Sequence, residues 1–297
     1  MSASDKTFGW RARAAGETAA VVSAAADVVH HLAPPAILES ELRRALLRNQ
    51  FELHYQPQLD LRSGDILSFE ALIRWRHPAR GLLSPATFLT AAEHHGLIRQ
   101  IDDWVLNAAV DQALAWDYGG LPPFGLAINV SRAQFHRPGF ATHIEDVLRE
   151  KQLSPRRIEI EMTEDVLVGD TSSSINTLHH LHDLGISLSI DDFGSGYSSL
   201  GDLSRLPINE LKIDQSFVKD MATQESAAGV VRSIIETARC LKFQVVAEGM
   251  ETTEQLRRLM NMRCERAQGY LISRPIAANQ LARFLDEWPR RWHTLIS

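Results

Sequence analysis

The sequence predicts an α/β fold, a TIM-like (β/α)8 barrel with an antiparallel first strand. Three observations carry this expectation. Eight short apolar runs alternate with helix-length amphipathic segments, and acidic or amide residues recur near the C-terminal ends of those runs. The connection between the first two runs, with Ser63-Gly64-Asp65 as its turn, is too short for the crossover that parallel strands require.

In chain order, residues 1 to 36 are alanine-rich and end in Pro34-Pro35, which stops any helix begun near Ala14. This N-terminal extension is open to three readings: a helix, a docking segment for a protein partner, or a disordered arm. Residues 37–290 hold the barrel and 291–297 form a C-terminal tail. The strand candidates are FELHYQ (51–56), ILSFEALIRW (66–75), FGLAINV (124–130), RIEIEM (157–162), ISLSIDD (186–192), NELKID (209–214), QVVAE (244–248) and AQGYLI (267–272). Between the sixth and seventh, Val230, Val231, Ile234, Ile235, Ala238 and Leu241 share one helical face.

Composition bounds the function. Of 297 residues 44% are hydrophobic and 23% charged, which supports a sizeable core and excludes low-complexity classes. Lys+Arg 31 against Asp+Glu 37 gives a net charge of -6, which argues against coating a DNA or RNA polymer while leaving a single nucleotide ligand open. Cys240 and Cys264 have no disulfide or CxxC spacing and read as buried core thiols in a reducing compartment. The apolar stretch 19–29 is broken by Ser23 and Asp27 and is shorter than the ~18 residues of a membrane span. A cytoplasmic protein without a membrane span is expected.

The chemistry gathers at one end. Glu70, Asn129, Glu161, Asp191, Asp192, Lys212 and Glu248 all fall at or near strand C-termini, where barrel active sites are built. Alternation turns Ser187, Ser189 and Asp191 inward, and likewise Gly125, Ala127 and Asn129, and Glu210, Lys212 and Asp214. Five carboxylates would face one ammonium, and each like-charge pair costs about 4 kcal/mol at ~4 Å and an effective dielectric near 20. Such a cluster needs cations or protons. Carboxylates with one amide oxygen are a hard set that suits two Mg²⁺ or Mn²⁺ ions, a usual device for attack of water on a phosphodiester. Ca²⁺, with longer bonds and looser geometry, is expected to occupy the site and inhibit.

The run Glu70-Ala71-Leu72-Ile73-Arg74-Trp75 resembles the signature of the EAL-domain phosphodiesterases, which hydrolyse cyclic di-GMP to linear pGpG. The resemblance extends through YQPQ (55–58), INVS (128–131), EMTE (161–164), DDFGSGYSSL (191–200), LKID (211–214), VAEGME (246–251) and QGYLISRP (268–275), over about residues 38 to 288. It implies that Glu70, Asn129, Glu161, Asp191, Asp192 and Glu248 bind the metals, and that Asp192, Lys212 and Glu248 serve catalysis. Lys212 would orient water or stabilise charge, and Glu248 would act as ligand or general base. It also implies that Gln56, Leu72, Arg74, Asp214, Glu251 and Gln268 contact the substrate. Glu164 would anchor the loop DFGSGYSS, with turns at Gly194 and Gly196, at a homodimer interface.

Departures from the family pattern lie at His94-His95, Arg263 and Glu265, which place the rim of the guanine pocket in question rather than the chemistry. His179, His180 and His182 read as a solvated helix face, and Tyr197 and Ser198 as loop packing. Two alternatives remain at this level: a non-catalytic cyclic di-GMP receptor signalling through protein partners, and a metal-dependent barrel acting on carbon acids. Retention of the metal set and of the loop motif favours catalysis.

Overall fold

Eight strands close into a barrel with helices around it. The structure is a computed structural model and describes residues 35–167, 171–194 and 203–297. The N-terminal extension up to residue 34, and Gly196, Tyr197 and Ser198, lie outside the described residues. The strands are β1 (Phe51–Asp60), β2 (Ile66–His77), β3 (Gly81–Leu83), β4 (Gly125–Asn129), β5 (Ile158–Thr163), β6 (Ser187–Phe193), β7 (Glu210–Ile213), β8 (Gln244–Ala247), β9 (Arg266–Gln268) and β10 (Ile276–Ala277). The helices are α1 (Pro35–Leu47), α2 (Pro85–His94), α3 (Ile98–Tyr118), α4 (Arg132–Phe135), α5 (Phe140–Lys151), α6 (Thr171–Asp183), α7 (Gln215–Asp220), α8 (Glu225–Leu241), α9 (Thr253–Asn261) and α10 (Leu281–Ile296).

Around the barrel the order is β1, β2, β4, β5, β6, β7, β8 and β9, with β9 returning to β1. β1 runs antiparallel to both its neighbours, as the short first connection requires, and the other six contacts are parallel. Two short strands were not expected: β3 forms a hairpin with β2, and β10 pairs with His54 and Tyr55 of β1. The last barrel strand ends at Gln268 rather than at Ile272, because Gly269 to Leu271 turn away to follow the loop after β8.

Helix-facing positions of the strands, among them Leu126, Ile128, Ile160, Leu188, Ile190, Leu211, Ile213 and Val245, are buried and form the strand side of the core. On α8, Val231, Ile234, Ile235 and Ala238 pack inward, but Val230 is 40% exposed. At 100° per residue it sits at the margin of the six-residue arc, where a helix packed on a curved wall meets solvent. Cys264 is buried, whereas Cys240 on α8 is exposed, so only one thiol belongs to the core. No helix among the described residues is long and apolar enough to cross a membrane.

At the end of the barrel opposite the acidic residues, α10 packs against the turn between β1 and β2. Trp288 Nε1 donates to the carbonyl of Gly64 at 2.8 Å, and the Trp292 ring covers the same residue. Gly64 has φ +82°, and a Cβ there would lie 1.9 Å from Trp292 Nε1, so the turn between β1 and β2 needs glycine for both conformation and space.

Candidate active site

Inward parity brings the charged residues to one mouth. Glu70 lies mid-strand because β2 continues well past the barrel to His77; Asn129 pairs in register with Glu161, and Thr163 with Asp191. Lys212 stands at the centre, fully buried. Its Nζ is 2.8 Å from Glu248 Oε1, 2.9 Å from Glu161 Oε2, 3.3 Å from Asp191 Oδ1 and 3.7 Å from Glu70 Oε2. Burial would lower the lysine pKa, but the charges of Glu161, Glu248, Glu70 and Asp191 outweigh it and hold the ammonium well above its ordinary value.

The carboxylates divide by environment. Burial opposes ionisation of Glu70, yet Lys212 and two amide donors keep it below the usual range: Gln268 Nε2 donates to Oε2, and Asn129 Nδ2 donates to Oε1 at 2.6 Å. Glu161 is pushed well above it, first by burial and then by the charge of Glu70. Burial, with Asp191 and Glu70 nearby, raises Glu248 to about 8, and burial with Asp191 raises Asp192 to about 6. Carboxylate oxygens of Asp191, Asp192 and Glu248 all lie within 4.8 Å of one another. Asp192 takes φ +53°, an uncommon conformation for a non-glycine residue that turns its side chain beside that of Asp191.

A cleft opens above these groups, lined by Gln56, Leu72, Glu251, Gln268 and Tyr270 over Glu70, Asp191 and Glu248. Gln268 Nε2 also reaches Gln56 Oε1 at 3.3 Å. Gly269 permits the loop contact that builds one wall: a Cβ would lie 2.1 Å from the carbonyl oxygen of Met250, whose N–H donates to Gln268 O at 3.0 Å. Arg74, half-buried and donating to Ile73 O, is not on that wall, although Tyr270 and Glu70 of the cleft bear on its charge. Asp214 does not continue β7 inward. It caps α7 through Ser216, and its carboxyl, which burial would raise but the Ser216 donors keep low, pairs with that of Asp192. Glu164 Oε1 accepts the N–H of Gly194 at 3.1 Å, just after Asp192 and Phe193.

Two interior residues went unnoticed in the sequence. Gln58 Nε2 reaches Glu161 Oε1 at 3.5 Å, and Ser68 Oγ donates to Gln58 Oε1 at 2.6 Å. The signal was present, since Gln58 follows Gln56 at the two-residue period of a strand. His95 faces Glu39 of α1, Arg263 takes φ +56°, and neither lines the cleft formed by the described residues. His180 meets Glu145 on α5 and His182 meets Asp183, both histidines partly exposed.

The match to known proteins is broad. The family model described as EAL domain covers residues 39–275. The cyclic di-GMP phosphodiesterase NbdA of Pseudomonas aeruginosa is 43% identical over 248 residues, 84% of this chain and 32% of that protein. The bifunctional diguanylate cyclase/cyclic di-GMP phosphodiesterase MucR of the same species is 42% identical over 241 residues, 81% of this chain and 35% of that protein. This chain thus spans about a third of the length of the curated relatives it matches. Among solved structures, the PaMucR phosphodiesterase in complex with c-di-GMP superposes with TM-score 0.79 at 41% identity, covering 82% of this chain and 99% of the other. The EAL enzyme Bd1971, bound to cAMP and cyclic di-GMP, gives 0.80 at 33% identity over 84% of this chain and 69% of its own. The chain belongs to the EAL domain family.

Proposed function

We propose that this chain is a metal-dependent phosphodiesterase that hydrolyses cyclic di-GMP to linear pGpG and so lowers a bacterial second messenger. The observation that carries the proposal is the convergence of Asp191, Asp192 and Glu248 oxygens within 4.8 Å at the base of the cleft, beside a solvent-excluded lysine. Relatives named for this activity, and a similar structure described as a c-di-GMP complex, support it.

The donor set fits two Mg²⁺ or Mn²⁺ ions: all ligands are hard oxygens, and more carboxylates gather than one ammonium can neutralise. Glu70, Asn129, Glu161, Asp191, Asp192 and Glu248 would hold them. Asn129 commits its amide nitrogen to Glu70, which leaves its oxygen for a cation. Bound metals would supply Lewis acidity at the phosphoryl group and lower the pKa of water.

The remaining work falls to the protein. Glu248, with a carboxyl near neutrality, is suited to take a proton from the attacking water, and Lys212 stabilises negative charge beside it. Gln56, Leu72, Glu251 and Gln268 hold the ligand from the cleft wall, and Asp214 acts through its contact with Asp192; Arg74, beside the cleft, would leave Ile73 O to reach a phosphate oxygen. A linear product no longer offers both phosphates in ring geometry, which favours release of pGpG over a second cut. Glu164 holds the following loop, through which a homodimer forms. The working compartment is the cytoplasm.

The test is a time course of the purified chain with cyclic di-GMP and Mg²⁺, with products identified by mass spectrometry. Accumulating pGpG is expected. Ligand that binds and returns intact would replace the enzyme with a receptor, and GMP as the main early product would overturn the single-cut reading.

A further inference from the structure

The loop that carries Asn129 is held from outside the barrel by the first turns of α3. Asn129 ends β4, and Ser131, two residues on, caps α4 by accepting the N–H of Gln134 at 3.2 Å. Ser131 Oγ in turn donates to Asp102 Oδ2 at 2.5 Å, and the Ser131 backbone N–H is given to the same carboxyl. Neighbouring residues of α3 repeat the pattern: Arg99 Nε donates to Ala133 O at 3.0 Å, and Gln134 Nε2 donates to Asp103 Oδ1 at 2.7 Å. On the barrel side, Val130 N–H donates to Glu161 O at 2.9 Å. Asn129 is therefore fixed between two anchors, one inside the wall and one on α3.

We propose that Asp102 is a positioning residue for Asn129: by binding both donors of Ser131 it fixes the end of β4 and so sets where the Asn129 amide meets a divalent cation. The inference rests on the metal-dependent reading above. Asp102 does not touch substrate or reacting atoms. Its effect passes through Ser131 and a two-residue stretch of backbone, and groups that orient metal ligands in this way commonly contribute tenfold or more to affinity.

The experiment measures Mn²⁺ binding to the full chain by electron paramagnetic resonance of the free ion, alongside melting temperature. Asp102→Ala and Ser131→Ala are each expected to weaken Mn²⁺ about tenfold, with turnover recovering at saturating Mn²⁺ and substrate KM unchanged. Ser131→Thr, which keeps a hydroxyl, should restore near-normal affinity. The double alanine variant should be no weaker than the weaker single, because the two residues act through one contact. Unaltered Mn²⁺ affinity in both single variants, or fully additive losses, would overturn the inference while leaving the metal reading intact. A parent chain that binds no Mn²⁺ would overturn both. Should Asp102→Ala fail to fold, Ser131→Ala and Ser131→Thr still decide the question.

Discussion

Lys212 Nζ lies 2.9 Å from Glu161 Oε2 inside the barrel, and both side chains are wholly excluded from solvent. A buried pair of this kind is costly to break from one side, because the partner left behind is unsatisfied. Three further carboxylates lie within 4 Å of the same ammonium, so it offsets part of the negative charge of the metal-free site.

Lys212→Met is therefore expected to lower the stability of the metal-free protein by about 3 kcal/mol at pH 8, with a smaller loss at pH 6, where Glu248, raised to about 8, carries a proton. Urea unfolding in EDTA at the two pH values measures this. Equal losses at both would show that the lysine acts by packing and not by charge.

The raised carboxyls give the free protein a definite pH response. Glu248 at about 8 and Asp192 at about 6 keep protons that the unfolded chain releases near the ordinary carboxylate range. Folding then takes up protons between about pH 4 and 8, so stability falls as pH rises through that window. Melting in EDTA should drop by several degrees from pH 5 to 8, and saturating Mn²⁺, which binds the ionised forms, should remove or reverse the drop. A melting temperature that climbs with pH in EDTA would show that these groups are ionised in the free protein.

Glu164 accepts the Gly194 N–H from just past the end of β5 and holds the chain that follows the paired aspartates. Glu164→Ala is expected to melt within a few degrees of the parent, lose at least tenfold in turnover, and weaken the homodimer proposed to form through that loop. Sedimentation and initial rates check this, and a fully active dimeric variant would make Glu164 a bystander.

At the opposite end of the barrel, Gly64→Ala adds a Cβ into Trp292 at a left-handed position. A loss of about 2 kcal/mol or more in urea unfolding is expected, with metal affinity unchanged. An unaltered midpoint would mean that α10 shifts away without cost.

Much of this was legible because strand alternation and barrel topology act on local sequence. Parity turned Asn129, Asp191 and Lys212 inward, position near the strand ends added Glu70 and Glu161 to the same mouth, and the short turn at Gly64 set the reversed direction of β1. What the sequence hid depends on contacts between distant segments. Asp214 sits at the inward parity but leaves the strand to cap a helix, and the two-residue β10 exists only because β1 offers it an edge. The opposite pKa shifts of Glu70, lowered, and Glu161, raised, depend on which of them receives the Gln268 and Asn129 amides, which periodicity does not reveal.

The most direct measurement is the initial rate of pGpG formation by the intact chain as Mn²⁺ is titrated from zero, followed by EDTA and then Ca²⁺ in its place. No product without metal, a saturable rise with Mn²⁺, arrest by EDTA and little rate with Ca²⁺ are expected. Cleavage that persists in EDTA, or runs equally fast with Ca²⁺, would contradict a two-ion site built on Asp191, Asp192 and Glu248.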